Sequence, residues 1–97
     1  MDIAQNILDQ IRTLDHMAIF AWGTSKVNSI PESEEHLGGL KLLVQNNPKI
    51  KERATVEITL NGSDLYDIKV YSDKGLHYDE RDLYCGDLVI AIDEALG

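Results

Sequence analysis

Hydrophobic residues at the start of the chain recur with the spacing of one helix face. They are Ile3, Ile7, Leu8, Ile11 and Leu14, and most of the residues between them are polar. This pattern predicts an amphipathic helix that ends near Asp15, with Asp2 as its N-cap. A helix with a single apolar face must pack against another part of the fold.

The next segments are predicted to be two short strands separated by a long loop. Residues 17–22 form an uninterrupted apolar run, which suits a buried strand better than a helix of six residues. Residues 24–39 are rich in Ser, Glu and Gly and predict an irregular loop of a length that commonly carries function. Residues 40–44 predict a second strand, and the Asn-Asn-Pro sequence at residues 46–48 predicts a turn.

The clearest feature is a strict alternation of apolar and polar residues over positions 53–60. Its apolar members are Ala54, Val56, Ile58 and Leu60. A period of two predicts a strand with one buried and one polar face. Residues 61–64 begin with Asn-Gly and predict a hairpin turn. The apolar face of the returning strand consists of Tyr66, Ile68 and Val70.

The end of the chain predicts a brief strand and a second helix. Residues 72–75 predict a turn, and residues 76–78 predict a short fifth strand. Apolar residues at helical spacing follow, namely Tyr84, Leu88, Val89, Ile92, Ala95 and Leu96. Asp82 is the expected N-cap of this helix and Gly97 its terminator.

This order of elements predicts one two-layer α+β domain spanning residues 1–97. An antiparallel sheet of about four to five strands would have its apolar face covered by both the N- and the C-terminal helix. The uncovered face would carry the polar residues of the hairpin, which are Arg53, Thr55, Glu57, Thr59, Asp67, Lys69 and Tyr71. That face must be covered either by solvent or by a partner.

Charge narrows the classes of function. Seventeen acidic residues against nine basic ones give a formal net charge of −8, which disfavours direct binding to nucleic acid or to anionic lipid. The imbalance is uneven, because residues 73–97 hold seven acids against Lys74 and Arg81, whereas residues 49–53 are basic. No apolar run is long enough to span a bilayer and the first residues lack a signal-peptide layout, so we expect a cytosolic protein.

Residues that could carry catalytic or metal chemistry are scattered. The metal-ligating types, none of them in the close pairs typical of zinc sites, are His16, His36, His77 and Cys85. A single cysteine excludes an intrachain disulfide. No nucleophile elbow, phosphate-binding glycine loop or His-Glu-x-x-His motif occurs, and Gly38-Gly39 precedes a strand rather than a helix. We therefore expect no enzyme, no metal site and no cofactor.

The acids near the end of the chain have two interpretations. Residues 79–82, Asp-Glu-Arg-Asp, lack the alternating oxygen ligands and the central glycine of a calcium-binding loop. The simpler interpretation is that these acids begin and solvate a helix. The functional interpretation is an acidic surface that imitates nucleic-acid phosphates and blocks a basic groove on another protein.

The candidate binding residues combine exposed aromatic residues with acids, because exposed aromatics are enriched at protein interfaces. They are Tyr71 on the polar sheet face, Tyr78, Asp79, Glu80 and Asp82 in the acidic stretch, and Glu32, Glu34 and Glu35 in the long loop. Tyr66 and Tyr84 are assigned to the core. The alternative for Tyr71 and Tyr78 is that they are partly exposed sheet residues whose hydroxyls reach water.

Three segments form a distinctive sequence pattern. Residues 58–68 are Ile-Thr-Leu-Asn-Gly-Ser-Asp-Leu-Tyr-Asp-Ile, residues 84–88 are Tyr-Cys-Gly-Asp-Leu, and residues 4–7 are Ala-Gln-Asn-Ile. Together they resemble a group of small proteins encoded by bacteriophages and integrated mobile elements. The resemblance extends over most of the chain and is weakest at residues 24–39. It implies a bacterial cytosol and a phage-like origin, and it carries over no catalytic or binding residue.

Three hypotheses about function follow. The leading one is a small non-enzymatic interaction protein of a phage or mobile element that binds and modulates a host protein with a basic surface, such as a defence or nucleic-acid-handling protein. The alternative is an oligomeric protein that holds a nucleotide-like ligand, with Lys41, Arg53 or Lys69 meeting the anion. The third is a structural or regulatory homodimer whose sheet edges pair.

Overall fold

The central element of the fold is a five-stranded antiparallel sheet whose strands follow their chain order. The computed structural model describes residues 2–45 and 52–96, so the turn expected at residues 46–48 and the expected terminator Gly97 lie outside the described residues. The strands are β1 (Thr24–Ile30), β2 (Gly39–Val44), β3 (Ala54–Leu60), β4 (Tyr66–Ser72) and β5 (Gly75–Leu83). The helices are α1 (Ile3–Leu14), α2 (Ala18–Ala21) and α3 (Leu88–Leu96), the last preceded by a 3₁₀ turn at Cys85–Asp87.

The terminal helices cover one face of the sheet. α1 packs against β1 and β2, α3 packs against β4 and β5, and the two helices also touch each other. The buried side chains that the three central strands supply to this layer are Leu40, Leu42, Val44, Ala54, Val56, Ile58, Tyr66, Ile68 and Val70. The prediction of a two-layer α+β fold with both terminal helices on one face is confirmed. Within residues 2–45 and 52–96, no helix is both long and apolar enough to cross a membrane.

The first helix forms as the apolar spacing predicts. The Asp2 carboxylate accepts a hydrogen bond from the backbone N–H of Gln5 at 3.2 Å, which caps α1. Ile7 and Ile11 are fully buried against the sheet. Leu14, the last residue of the predicted apolar face, is 47% exposed, so the buried stripe is shorter than the sequence suggests.

Residues 18–21 form the helix α2, so the strand predicted over residues 17–22 is wrong. Ala18 and Trp22 are buried, whereas Phe20 between them is 79% exposed. In a strand these three positions would share one face, whereas in a helix the first and last lie one turn apart. A run of six apolar residues has no polar positions to reveal this period. The Trp22 indole N–H donates to the Asp93 carboxylate at 2.5 Å, which ties α2 to α3.

The loop predicted over residues 24–39 is also wrong in its first half, because those residues form β1. Five of the seven β1 residues are exposed, since this strand lies at the edge of the sheet. A strand with little buried area on either face needs no alternation of apolar and polar residues, so its sequence resembles that of a loop.

The last third of the chain requires three corrections. The fifth strand is nine residues long rather than three, and Asp82 lies within it instead of capping a helix. α3 begins only at Leu88, after the 3₁₀ turn. Because residues in a 3₁₀ turn advance by a different angle from residues in an α-helix, Tyr84 does not continue the buried stripe of α3. It is 70% exposed, whereas Tyr66 is buried as predicted.

The glycine pair at the start of β2 is required by the backbone. Gly38 has a φ of 123°, which side chains rarely tolerate. A β-carbon on Gly39 would lie 2.0 Å from the carbonyl oxygen of Ile58 and 2.9 Å from the Cα of Thr59. The close approach of β2 to β3 therefore requires a residue without a side chain at position 39.

Replacing Gly39 by Ala should separate β2 from β3, because the atoms that the new methyl group meets belong to the backbone and cannot rotate away. We expect the free energy of unfolding, measured by urea denaturation, to fall by about 3 kcal/mol. Gly62→Ala is the matched control, since a β-carbon at Gly62 meets no atom within 4 Å. Equal losses in the two variants would contradict the close-approach explanation.

Candidate functional site

A cleft of about 550 Å³ lies on the polar face of the sheet, opposite the helices. Its lining residues are Glu35, His36, Glu57, Thr59, Asp67, Lys69 and Arg81. β3, β4 and β5 form the floor, and the segment between β1 and β2 forms one wall. The alternation in β3 and β4 predicts the floor positions, because those residues alternate with buried ones.

The wall of the cleft is held in place by backbone hydrogen bonds. The Leu37 N–H donates to the Leu60 carbonyl at 2.8 Å, and the Leu60 N–H donates to the Gly38 carbonyl at 2.9 Å. The Gly38 N–H donates to Nδ1 of His36 at 3.1 Å. A neutral His36 ring therefore carries its proton on Nε2, which remains as its hydrogen-bond donor. Glu35 and His36 thus line the cleft from an anchored segment.

A row of alternating charges crosses the polar face of the sheet and passes through the cleft at Glu57 and Lys69. Lys41, Glu57, Lys69 and Asp79 are successive neighbours across β2, β3, β4 and β5. Opposite charges at directly paired positions attract each other, and the row as a whole carries no net charge. The strongly acidic character of the chain is therefore absent from this part of the polar face.

The two central members of this row, Glu57 and Lys69, differ in whether other side chains contact their charged groups. Glu57 accepts a hydrogen bond from the Tyr71 hydroxyl at 2.5 Å and lies 4.0 Å from Nζ of Lys41. Among the residues that the structure describes, Lys69 has neither an ion pair nor a side-chain hydrogen bond. Lys69 is therefore the cation of the cleft that a ligand could reach without displacing a partner.

Arg81 lies at the cleft, next to a β-bulge near the end of β5. The pairing of β4 with β5 shifts its register there, and Asp82 has a φ of 59°. The Asp67 carboxylate stabilises the bulge by accepting from the N–H of Asp82 and from Nδ2 of Asn61, both at 3.1 Å. Nε of Arg81 lies 4.0 Å from a carboxylate oxygen of Asp79, so this ion pair is long.

The opposite side of β5 carries a second group of acids around a tyrosine. The Tyr78 hydroxyl donates to Glu80, two residues along the same strand. Burial raises the pKa of Tyr78 to about 12, and the hydrogen bond to Glu80 and the charges of Glu80 and Glu94 act in the same direction. Because Glu94 belongs to α3, β5 and α3 together form an acidic edge, defined by Tyr78, Glu80 and Glu94.

The eight candidate binding residues from the sequence do not form one surface. Tyr71, Asp79 and Glu35 lie on the cleft side of the sheet, Tyr78 and Glu80 lie on the helix side, Asp82 lies at the bulge, and Glu32 and Glu34 lie in the exposed segment before β2. Tyr78 is also less accessible than expected, because it packs against the hydrophobic core. Among the candidate residues, those of β5 lie on both sides of the sheet.

Sequence reasoning missed His36, Thr59, Asp67 and Arg81 as lining residues of one cleft. Thr59 and Asp67 were visible as polar-face positions, and their cross-strand pairing brings them together. Arg81 lies beyond the three residues predicted for the fifth strand, and the position of His36 depends on the path of the preceding segment. Neither has a local sequence signal.

A Ser-His-Glu cluster lies at the turn between β4 and β5. The Ser72 hydroxyl lies 2.7 Å from Nε2 of His77 and donates to Glu52 at 2.7 Å, and Nε2 of His77 also lies 3.3 Å from Glu52. In a nucleophilic triad the two ring nitrogens serve different partners, whereas here Nε2 serves both. The hydrogen bond from Ser72 and the nearby Lys74 ammonium lower the pKa of Glu52. The cluster therefore links Glu52, which lies just before β3, to the hairpin formed by β4 and β5.

A hollow of about 350 Å³ lies between α1 and the 3₁₀ turn, beside the exposed thiol of Cys85. Its wall includes Gln10, Thr13 and Leu14. In the described part of the chain, no group of three or more His, Cys, Asp or Glu side chains is placed to hold a metal ion.

The chain matches no protein-family model, no curated protein and no solved structure. The similarity to small phage proteins therefore stays a prediction that rests on the sequence pattern.

Two tyrosines should ionise late in a spectrophotometric titration of the folded protein. Burial and a hydrogen bond to Glu57 raise the pKa of Tyr71 to about 12, which matches the value for Tyr78. A raised folded-state pKa means that the stabilisation is complete below the unfolded pKa of about 10 and is lost as the pH rises towards the folded value. Tyr71→Phe should remove one late transition and should lose less stability than the parent protein above about pH 10. Late transitions that persist unchanged in both Tyr71→Phe and Tyr78→Phe would contradict this assignment.

Proposed function

We propose that this chain is a small non-enzymatic interaction protein of phage or mobile-element origin that acts in the bacterial cytosol. It binds and modulates a host protein with a basic surface, such as a protein of defence or nucleic-acid handling. The observation that carries the proposal is the charge on β5, an outer strand with Asp79 towards the cleft, Glu80 towards the helices and Asp82 at the bulge. With Glu94 next to Tyr78, this strand is acidic on both faces.

An acidic outer strand suits a basic partner for two reasons. Carboxylates on both faces of one strand attract Lys and Arg side chains from either side, in the way that a phosphate backbone does. The formal net charge of −8 adds long-range attraction, which speeds encounter with a basic surface and weakens as salt screens it. The Tyr78 hydroxyl donates to Glu80 and so orients one of these carboxylates.

The test compares two double variants, each of which replaces two acids by the corresponding neutral amides. Glu80→Gln with Glu94→Gln removes the acids of the acidic edge, and Asp64→Asn with Asp73→Asn removes two exposed acids from turns while giving the same net charge. Asp64 has a φ of 60°, which Asn tolerates well, so the control variant should fold normally. We expect the tagged parent protein to capture a basic host protein from bacterial lysate at low salt. The edge variant should retain at most about a tenth of that capture, and the control should stay within about twofold.

The outcomes distinguish specific from general attraction. Equal loss in both double variants would mean that only net charge matters, which contradicts a binding role for the acidic edge. Failure to capture any host protein, even at about 20 mM salt where screening is weakest, would contradict the proposal as a whole.

A second candidate function is favoured by one observation, the unpaired ammonium group of Lys69 in the cleft. An oligomeric protein that holds a nucleotide-like anion would need such a group. Two of the three carboxylates in the cleft are already engaged, Glu57 by Tyr71 and Asp67 by the bulge. An anion near Lys69 therefore meets less repulsion than the net charge suggests.

A phosphate titration followed by NMR tests this second candidate. If the cleft takes an anion, inorganic phosphate or a nucleoside monophosphate should shift the amide signals of β3 and β4, and Lys69→Gln should weaken binding by about tenfold. Lys26→Gln is the control, because Lys26 lies on the polar face in β1, away from the cleft lining. Shifts that are absent, or that are equally reduced in both variants, would exclude a specific anion site.

A further inference from the structure

Among residues 2–45 and 52–96, no strand pairs with the outer edge of β1, and the hydrogen-bonding pattern shows which backbone groups point outward there. The Leu60 N–H donates to the Gly38 carbonyl, which shows that the backbone groups of position 38 point towards β3. Because these directions alternate along a strand, the N–H and C=O groups of Leu40 also point towards β3, and those of Lys41 point towards β1. Lys41 pairs with Asn28, so Asn28 directs its N–H and C=O towards β2. The neighbouring residues, Val27 and Ser29, therefore direct theirs away from the sheet.

The two outer strands differ in how well they are protected. β5 has two register irregularities and consecutive charged residues at positions 79–82, both of which discourage another strand from pairing. β1 pairs in regular register with β2 from Lys26 to Ile30 and has one charged residue, Lys26. The β1 edge is therefore the one at which another strand can add to the sheet.

The surroundings of β1 are unusually neutral for this chain. Residues 17–31 contain one charged residue, although the chain has seventeen acids and nine bases. α2 packs beside β1, and Phe20 of α2 is 79% exposed, the highest value among the large hydrophobic residues described. Val27, on the helix side of β1, is 40% exposed. A neutral edge next to exposed apolar side chains favours a partner surface of the same kind.

We propose that β1 pairs antiparallel with β1 of a second copy of this chain, with the two-fold axis at Val27. This register places Val27 opposite Val27 and Lys26 opposite Asn28, so no like charges face each other. Each Val27 exchanges both of its outward backbone hydrogen bonds with its counterpart, and the two sheets continue as one of ten strands. The helix layers then meet beside the axis, where each copy contributes an uncharged α2.

Charge explains why the second copy meets at this edge and not elsewhere. Two chains that each carry −8 repel each other, and the repulsion is smallest where acids are absent. The dimer should therefore become tighter as salt screens the repulsion between the two copies. Capture of a basic host protein should respond to salt in the opposite direction, so the two proposals can fail independently.

Analytical ultracentrifugation of the full chain tests the proposal. We expect a mass of about 22 kDa, twice the 10.9 kDa of one chain, with the dimer fraction rising between about 50 and 500 mM NaCl. Val27→Lys places two ammonium groups face to face and should weaken dimerisation at least about tenfold. Leu76→Lys is the matched control, since Leu76 lies on the other outer strand, is 60% exposed, and gives the same change in net charge. The control should alter the dimer constant by less than about twofold.

A second variant removes a backbone donor without adding charge. Ser29→Pro deletes an outward N–H and leaves the hydrogen bonds between β1 and β2 intact, so circular dichroism should report a folded monomer. A monomer at every salt concentration up to about 0.5 mM protein would overturn the proposal. A dimer that survives both Val27→Lys and Ser29→Pro, or that Leu76→Lys disrupts, would overturn it as well.

Discussion

The whole arrangement depends on the register of the three central strands. Val56 pairs with Leu42 on one side and with Val70 on the other, so apolar rows run across β2, β3 and β4 on a single face. A shift of one residue would turn these side chains to solvent and bring Glu57 and Lys69 into the core, so the burial of this face selects one pairing. The close approach at Gly39 adds a steric condition to the same register. Because only one face is apolar, the helices lie on that side and the other face remains open for a cleft.

The parts of the fold that could be predicted from the sequence are those that are half buried. In β3 and β4 each residue either faces the core or does not, so burial imposes a period of two on the sequence. α1 could be predicted for the same reason, because burial of one face imposes a helical period on its sequence. β1 could not be recognised because little of either face is buried, and α2 could not because the six-residue apolar run around it contains no polar positions. Tyr84 was misplaced because the 3₁₀ turn interrupts the helical period before α3.

The candidate site divides along the same line. That Glu57, Asp67 and Lys69 share the uncovered face follows from alternation, and cross-strand pairing brings them within one cleft. Alternation does not predict which charged groups pair with each other. Glu57 lies opposite Lys69, yet it accepts a hydrogen bond from Tyr71 and lies near Lys41. That choice depends on side-chain rotamers, which are settled only in the assembled sheet. Composition described the chain as acidic, yet the charged row across the cleft is balanced, and the excess acids lie elsewhere.

An exposed strand edge can pair with another chain, and the two outer strands differ in how far they prevent this. The difference bears on what each strand could bind. β5 is bulged and charged, which prevents continuous backbone pairing but leaves side chains that attract opposite charge. β1 is regular from Lys26 to Ile30 and has one charged residue, which gives little electrostatic attraction but leaves backbone donors and acceptors in register for another strand. The first kind of edge favours recognition through long-range charge, and the second favours short-range hydrogen bonding and apolar contact. Since the two edges are separated by three intervening strands, one chain could engage a basic partner through β5 while it pairs with its own copy through β1.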